Sequence, residues 1–394
     1  MALQPAAGAR DLHPRDVESN RRLCDLLAQV YRLWGYEEVT PPTIETLETL
    51  EAGGAISGRE LVRLVADQPL GLRPELTASI ARAASTRLRH RPRPLRLWAT
   101  GTTFRSSTDD GGGLRIEERL QSGVELLGDG SAAADTELIH LLLAAAATLG
   151  LQERHRPTLL VGHHGLLGAL LEDIASDQRP LARRALTGYD PLAIEALAVP
   201  EVQRRRLQAL LRLRGEASSV LYQIEQWLGP VPLIASLSAT LASVGPAAES
   251  MGLRLQLDPS FQPHFDLYDG LVLKLVCQGG EAPVAIASGG RYDGLVRRFC
   301  TDPLQGAGTG FGFDIGAIRE LLEPTAVATV AARPWLVAVA TAADLPRALE
   351  RLAECHGRGE AAELCHQVCA DGAEAERIAN ERGCCGALYL AASP

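Results

Sequence analysis

Gln121 and Glu125 are the residues whose spacing first suggests chemistry. The segment Gln121–Leu127 is predicted to be a strand. Side chains separated by an even number of residues on a strand point to the same face. An amide and a carboxylate on one face supply acceptors for ammonium and N–H groups. The pair suits two ligands to one small molecule, although either residue alone is typical of an ordinary polar position on a strand.

Cysteine and histidine residues near the C-terminus raise the question of a metal site. The chain has eight cysteines, and the segment Cys355–Cys369 also contains His366. The Cys-x3-Cys spacing and the adjacent Cys384 and Cys385 match no common zinc ligand pattern. We therefore expect reduced thiols that pack as small hydrophobic residues, with no metal and no cofactor.

Composition limits the class of protein. The chain has 394 residues and a formal net charge of −9, so two domains are expected and a nucleic-acid partner is not favoured. The basic clusters Arg87–Arg96 and Arg204–Arg206 are interpreted as solvated faces. The segment Met1–Arg22 carries charges of both signs and no apolar run, and no stretch has the length of a membrane helix. The sequence predicts a soluble, cytoplasmic protein.

The elements that must position these residues follow from hydrophobic periodicity. Apolar residues at helical spacing predict a helix over Asp16–Trp34 that ends at Gly35. Two strands, Leu95–Phe104 and Gln121–Leu127, are expected to flank a loop, Ser106–Glu118, with Gly111–Gly113 as its tip. A buried helix is predicted at 131–150 and a helical region at about 163–250. Further strands are predicted at three places: Leu253–Leu257, Leu271–Val276 and Pro283–Ala287.

This order of elements predicts an α+β fold. The strands are interrupted by helices without regular βαβ alternation, and no Gly-x-Gly-x-x-Gly segment opens a helix after the first strand. The proline- and alanine-containing run Pro324–Pro334 predicts a boundary between a core, 1–325, and a small α/β unit, 334–394. In the small unit, a strand at Trp335–Ala340 precedes helices at Asp344–His356 and Glu374–Arg382 and a last strand at Ala387–Ala391.

Several segments together resemble a class II aminoacyl-tRNA synthetase of the histidyl type, over residues 8 to 322. In that family, the core is an antiparallel sheet flanked by helices, and the unit 334–394 resembles a shortened anticodon-binding domain. The segments stand in the family's order, which makes coincidence a poor explanation. They are Gly8–Asp11 with Gly35–Val39, Leu72–Ala78, Phe104–Glu125, Phe265–Gly270, Ala287–Val296 and Gly312–Arg319.

The resemblance implies a pocket for free histidine. Positions matching Glu75, Thr77, Gln121 and Glu125 hold the amino group and the ring in the synthetases, and Tyr268 matches a tyrosine of a second histidine-binding motif. Arg105 of motif 2 is also retained and joins the candidate ligand set. For Arg105 and for Arg319 of motif 3, a role in structural ion pairing remains an equal alternative.

Other positions depart from the family in ways that bear on adenylation. Phe104 and Arg105 are followed by Ser106–Asp110, where the family has a glutamate and an arginine at the ATP site. Pro263 stands where the family has an arginine that acts on the reacting carboxylate and phosphate, and proline offers neither charge nor donor. The C-terminal unit is also short for a complete anticodon reader.

A histidyl-type core without the ATP chemistry resembles the regulatory subunits of ATP phosphoribosyltransferase. The resemblance implies a non-catalytic chain that pairs with a short catalytic subunit, activates it and confers feedback inhibition by L-histidine in the first step of histidine biosynthesis. It also implies dimerisation through residues near 8 to 45 within a hetero-oligomer. Two alternatives remain open: a working histidyl-tRNA synthetase and an RNA-binding paralogue.

Overall fold

The computed structural model describes residues 5–52, 60–108, 112–262, 267–300, 302, 305–322 and 333–392. The chain divides into two compact units, Met1–Glu323 and Pro324–Pro394. The strands of the first unit are β1 (Glu37–Glu38), β2 (Ile44–Thr46), β3 (Arg63–Leu64), β4 (Leu70–Leu72), β5 (Leu95–Thr108), β6 (Leu114–Leu127), β7 (Thr158–His163), β8 (Arg254–Leu257), β9 (Leu271–Gln278), β10 (Pro283–Arg291) and β11 (Gly308–Asp314). Its α-helices are α1 (Pro14–Leu33), α2 (Leu47–Ala52), α3 (Thr77–Ser85), α4 (Ala132–Thr148), α5 (His164–Leu170), α6 (Arg179–Thr187), α7 (Pro191–Glu195), α8 (Glu201–Arg212), α9 (Ala217–Leu228), α10 (Pro232–Ser250), α11 (Asp293–Phe299) and α12 (Ile315–Leu322).

An eight-stranded sheet forms the centre of this unit, in the order β1-β5-β6-β11-β10-β9-β7-β8. The pairs from β5 to β7 are antiparallel, whereas the two edge pairs, β1 with β5 and β7 with β8, are parallel. A small antiparallel sheet, β2-β4-β3, lies outside it. The predicted α+β core with an antiparallel sheet is confirmed, with parallel pairing added at its edges.

The predicted loop Ser106–Glu118 is wrong over most of its length. Strands β5 and β6 pair without a break in register from Leu95 opposite Leu127 to Thr108 opposite Leu114. The hairpin extends because the two strands continue to hydrogen-bond to each other, with Ser106, Ser107 and Thr108 opposite Ile116, Arg115 and Leu114. Of the predicted glycine tip, Gly111 lies outside the described residues, and Gly112 has a φ of +81°.

Helices cover both the sheet and one another. Helix α4, which the sequence predicts as buried, packs against α1, α10 and β11, and its leucines are almost inaccessible to solvent. It begins at Ser131, whose hydroxyl accepts a hydrogen bond from Ala134 N–H at 3.4 Å. Helices α5 to α10 occupy the region that was predicted to be helical, and α1 ends just before Gly35, where φ is +79°.

The second unit is a small parallel sheet with two helices. Its elements are β12 (Trp335–Val339), α13 (Leu345–Gly357), β13 (Ala362–Leu364), α14 (Gly372–Arg382) and β14 (Gly386–Leu390), with strand order β13-β12-β14. The predicted α/β character is confirmed. Strand β13 is absent from the sequence interpretation because three residues give too short a pattern to recognise.

Candidate functional site

Strand β6 carries the two acceptors on one face, as their spacing predicts. Glu125 is paired with Gly310 of β11. A Cβ atom added to Gly310 would lie 1.7 Å from Glu125 Oε2, and one added to Gly312 would lie 2.2 Å from Gln121 Nε2. Both side chains therefore lie across glycines of the neighbouring strand, where any larger residue would displace them.

Glu125 is the most deeply buried carboxylate of the site, with 3% of its surface exposed. Thr77 Oγ1 donates a hydrogen bond to its Oε1 at 2.6 Å, and the Tyr292 hydroxyl donates to its Oε2. Burial raises the pKa of Glu125 to about 8, and the nearby Glu75 carboxylate adds to the increase, while the two hydroxyl donors oppose it. No side-chain cation is among its hydrogen-bond partners in the described part of the chain.

Glu75 reaches the site from the turn before α3. Its carboxylate accepts backbone hydrogen bonds from Thr77 N–H and, at 2.9 Å, from Ala78 N–H, and so caps the start of the helix. Burial raises its pKa, although these hydrogen bonds and the positive charge of Arg105 act in the opposite direction. The helix thus fixes a second carboxylate, and it also places Thr77 within reach of Glu125.

Tyr268 and Arg105 complete the group. Burial raises the pKa of Tyr268, the charges of Glu125 and Glu75 raise it further, and Arg105 opposes them. Tyr268 packs over β10, where a Cβ atom added to Gly290 would lie 2.8 Å from its ring. Burial also lowers the pKa of Arg105, whose Nε donates to the Pro74 carbonyl at 3.4 Å.

The structure therefore brings the predicted site residues onto one face of the sheet and the adjoining turn. They come from four places in the sequence: the turn before α3, strands β5 and β6, and the segment before β9. The set contains two carboxylates, two hydroxyls and an amide against one guanidinium. Such a site favours a small ligand with an ammonium group, further N–H donors and one carboxylate.

Known proteins resemble this chain in both sequence and fold. The family model described as histidyl-tRNA synthetase matches residues 8–318. An ATP phosphoribosyltransferase regulatory subunit from Prochlorococcus marinus (strain MIT 9303) is 53% identical over 384 residues, covering 98% of each chain. One from Synechococcus sp. (strain RCC307) is 50% identical and covers 97% of this chain and 98% of its own. The chain belongs to the ATP phosphoribosyltransferase regulatory subunit family.

Solved structures agree with this assignment. A Bacillus halodurans protein described as an ATP phosphoribosyltransferase regulatory subunit/histidyl-tRNA synthetase superposes with a TM-score of 0.84 at 26% identity and covers all of both chains. The histidyl-tRNA synthetase from Nostoc sp. PCC 7120 has a TM-score of 0.78 at 16% identity, over 100% of this chain and 92% of its own, which shows a shared fold. The resemblance drawn from the motifs is confirmed.

Arg319 lies against α1 rather than among these residues. Its Nη1 donates to Asn20 Oδ1 at 2.9 Å, and its Nε lies 3.8 Å from Asp16 Oδ1. Of the two interpretations left open for this arginine, these contacts favour the structural ion pair. Arg105, in contrast, lies where its charge acts on Glu75 and Tyr268.

The positions that depart from the synthetase pattern are only partly described. Ser106, Ser107 and Thr108 belong to β5, and the Ser107 hydroxyl donates to Glu117 Oε1 at 3.3 Å. Asp109, Asp110 and Pro263 lie outside the described residues. On the hairpin, Arg119 is paired with Glu117 at 2.8 Å.

Tyr292 is a site residue that sequence reasoning missed. It lies in the segment Ala287–Val296, where the sequence pattern by itself indicates no role for its hydroxyl. Tyr292 is 1% exposed, and a buried tyrosine hydroxyl requires a hydrogen-bond partner. That requirement is the signal that could have linked it to a buried carboxylate, here Glu125.

The cysteines do not assemble into a ligand cluster. In the described ranges, no group of three or more metal-ligating side chains is suitably placed. Three of these cysteines are buried among the apolar residues of the second unit, namely Cys365, Cys369 and Cys384. Within the same ranges, no helix combines the length and the apolar character that crossing a membrane requires.

Proposed function

We propose that this regulatory subunit binds free L-histidine at Glu75, Thr77, Arg105, Gln121, Glu125 and Tyr268. The main support is the environment of Glu125, a buried carboxylate that accepts hydrogen bonds from two hydroxyl groups and lies near a second carboxylate, Glu75. Two buried carboxylates in one site repel each other, and a cationic ligand would relieve that repulsion. The family name of the relatives supports the regulatory role but does not identify these residues.

The geometry suggests how histidine would be oriented. The ammonium group would face Glu75, Thr77 and Gln121, which offer acceptors at the start of α3 and on β6. The imidazole N–H groups would face Glu125 and Tyr268. The carboxylate of the ligand would face Arg105, the guanidinium whose positive charge acts on Glu75 and Tyr268. Every polar group of histidine then has a partner of opposite character.

The partner would be the short catalytic subunit of ATP phosphoribosyltransferase, in the cytoplasm. We propose that the chain self-associates through residues near 8 to 45 within the hetero-oligomer, and that the unit 334–394 derives from an anticodon-binding domain. Histidine would inhibit through a coupling free energy of about 1–3 kcal/mol between its pocket and the partner's active site. For this to occur, histidine must prefer one quaternary state, because equal affinity for both states shifts nothing.

Calorimetric titration of the purified chain with histidine, and separately with ATP, tests the site. Saturable histidine binding without ATP binding is expected. Binding of both ligands would favour a working synthetase instead, and binding of neither would refute this pocket for the isolated chain. Salt-sensitive tRNA binding would favour the RNA-binding alternative.

A substitution links the site to inhibition of the assembled enzyme. Glu125→Ala should leave activation of the catalytic subunit intact and raise the histidine concentration needed for inhibition. Glu281→Ala, at an exposed position between β9 and β10, is the matched control and should leave both unchanged. Equal histidine sensitivity in Glu125→Ala and the parent would exclude this pocket.

A further inference from the structure

Helix α6 ends in a hydrogen-bonding pattern that favours glycine where this chain has Tyr189. Tyr189 N–H donates to the Leu186 carbonyl at 3.1 Å, and Asp190 N–H donates to the Ala185 carbonyl at 2.8 Å. These are the two bonds of the Schellman motif, whose left-handed residue is usually glycine. Tyr189 occupies that position with a φ of +52°. A large side chain is thus held in a backbone conformation that disfavours it, which points to a role for the side chain.

The side chain of Tyr189 reaches a buried carboxylate at the end of β8. Its hydroxyl donates to Asp258 Oδ2 at 2.9 Å, and Asp258 is 5% exposed. The other carboxylate oxygen accepts from Ser260 N–H at 2.9 Å, and Asp258 N–H donates to the Val161 carbonyl at 2.9 Å. The Arg214 guanidinium lies 5.8 Å from the centre of the Tyr189 ring. The corner between α6 and α7 therefore holds the first residue after β8.

The segment that begins at Asp258 leads to the proposed histidine site. Phe261 packs closely on β7, because a Cβ atom added to Gly162 would lie 2.3 Å from its carbonyl oxygen. Arg183 of α6 donates to Gln262 Oε1 at 3.3 Å. After residues 263–266, which lie outside the described ranges, the chain continues into Tyr268. Helix α6 and its corner thus fix the start of the segment that carries Tyr268.

We propose that Tyr189 is a positioning residue for the histidine site, acting through Asp258 on the segment that presents Tyr268. The proposal rests on the proposed function, since a contact at Asp258 affects histidine only if Tyr268 contacts histidine. The hydroxyl carries this role, because it is the atom through which Tyr189 contacts Asp258. The left-handed backbone at Tyr189 directs that hydroxyl towards Asp258.

The experiment compares Tyr189→Phe with Tyr222→Phe by calorimetric titration of the complete chain with histidine. Tyr222 is an exposed tyrosine of α9, so its substitution controls for the loss of a hydroxyl. Tyr189→Phe is expected to weaken histidine binding by about five- to tenfold, and Tyr222→Phe to leave it unchanged. Asp258→Asn, which weakens the same hydrogen bond from the other side, should act in the same direction. Unchanged affinity in both Tyr189→Phe and Asp258→Asn would overturn the proposal.

A double substitution separates positioning from a general structural effect. If Tyr189 acts through Tyr268, then Tyr189→Phe should cause little further loss of affinity in a Tyr268→Phe background. Losses that multiply fully would show that Tyr189 affects histidine binding independently of Tyr268, and would overturn the proposal. Absence of histidine binding by the parent chain would instead refute the histidine site itself, so the two failures are distinguishable.

Discussion

Two largely buried clusters of carboxylates are joined by the consecutive residues Arg291 and Tyr292. Arg291 contacts Asp135 and Asp293, whereas Tyr292 contacts Glu125, and the charges of the two clusters are balanced differently. Arg291 is 8% exposed and lies 2.8 Å from Asp135 and 3.1 Å from Asp293. The next residue, Tyr292, donates to Glu125, whose hydrogen-bond partners in the described part of the chain are the hydroxyl groups of Thr77 and Tyr292. In the first cluster, the Arg291 guanidinium donates hydrogen bonds to both carboxylates. In the second cluster, burial raises the pKa of Glu125 to about 8, so this carboxyl group stays largely uncharged at neutral pH.

The difference distinguishes a cluster that holds the fold together from the proposed histidine site. The ion pairs of Arg291 join the end of β10 to the start of α4 and to α11, and its Nη groups also donate to the backbone carbonyls of Asp129 and Ser131. Nothing in that cluster requires a further ligand. The charge of Glu75, in contrast, helps to raise the pKa of Glu125, so an incoming cation would gain most there.

The largest effect is expected from breaking the balanced cluster, which consists of Arg291, Asp135 and Asp293. Arg291→Met would leave the largely buried Asp135 without its cation and remove one of the two arginines that pair with Asp293. The free energy of unfolding, measured by urea denaturation, should fall by about 3–5 kcal/mol. Arg297→Met is the control, because Arg297 pairs with the same Asp293 at 3.5 Å from a position that is 60% exposed. That exposed pair should contribute less than about 1 kcal/mol. Equal losses in the two variants would contradict the distinction.

The unbalanced cluster, which consists of Glu125 and Glu75, is tested by measuring the free energy of unfolding over a series of pH values. The folded pKa of Glu125, about 8, lies above its ordinary value of 4.5, so the folded chain binds this proton more tightly than the unfolded chain. The resulting stability is fully present below pH 4.5 and is lost as pH rises through about 8. Between pH 6 and pH 9, the parent should lose about 2–3 kcal/mol more than Glu125→Gln, which cannot ionise. If the free energy of unfolding changed equally with pH in the two chains, Glu125 would not titrate in this range.

Replacing the carboxylate by an amide should affect binding more than stability. Glu125→Gln keeps the shape of the side chain but cannot form a charge-assisted hydrogen bond to an imidazole N–H. We expect histidine affinity to fall by about 1.5–3 kcal/mol, roughly ten- to hundredfold. The melting temperature at pH 7 should not fall, because the amide does not ionise and so avoids the loss of stability that Glu125 causes as pH rises. Titration calorimetry and thermal unfolding of the same sample measure both. A variant that binds histidine as the parent does would exclude Glu125 as a ligand.

Sequence reasoning reached the parts of the fold that depend on a regular period. Helix α1 and the shared face of Gln121 and Glu125 follow from periods of 3.6 and 2 residues. Helix α4 was predicted from its long run of apolar residues. The outer half of the β5–β6 hairpin was missed because Ser106, Ser107 and Thr108 are polar and the glycines 111–113 favour a loop. The apolar alternation in β6 is limited there to Leu114 and Ile116, which are exposed. Strand β13 was missed because it has three residues.

The candidate site was accessible to sequence reasoning only through the order of its motifs. Glu75, Glu125 and Tyr268 are separated by long stretches of chain, and no spacing rule brings them together; the family resemblance did. Tyr292 was missed because its partner became visible only when the fold placed its hydroxyl against Glu125. The contact of Tyr189 with Asp258 escaped for a related reason, since a left-handed tyrosine leaves no trace in a sequence pattern.

The smallest effect is predicted for Tyr292→Phe, which alters the Glu125 cluster and leaves the neighbouring Arg291 unchanged. Tyr292→Phe removes one of the two hydroxyl donors to Glu125 and should raise the pKa of that carboxylate further. Histidine affinity should fall by about 0.5–1.5 kcal/mol, as expected for one lost hydrogen bond, and the decline in stability should move to higher pH. Because Arg291 remains in place, stability at pH 6 should change far less than in Arg291→Met. If Tyr292→Phe instead resembled Arg291→Met in urea and left histidine binding untouched, the two clusters would be one scaffold, and the division between balanced and unbalanced charge would be wrong.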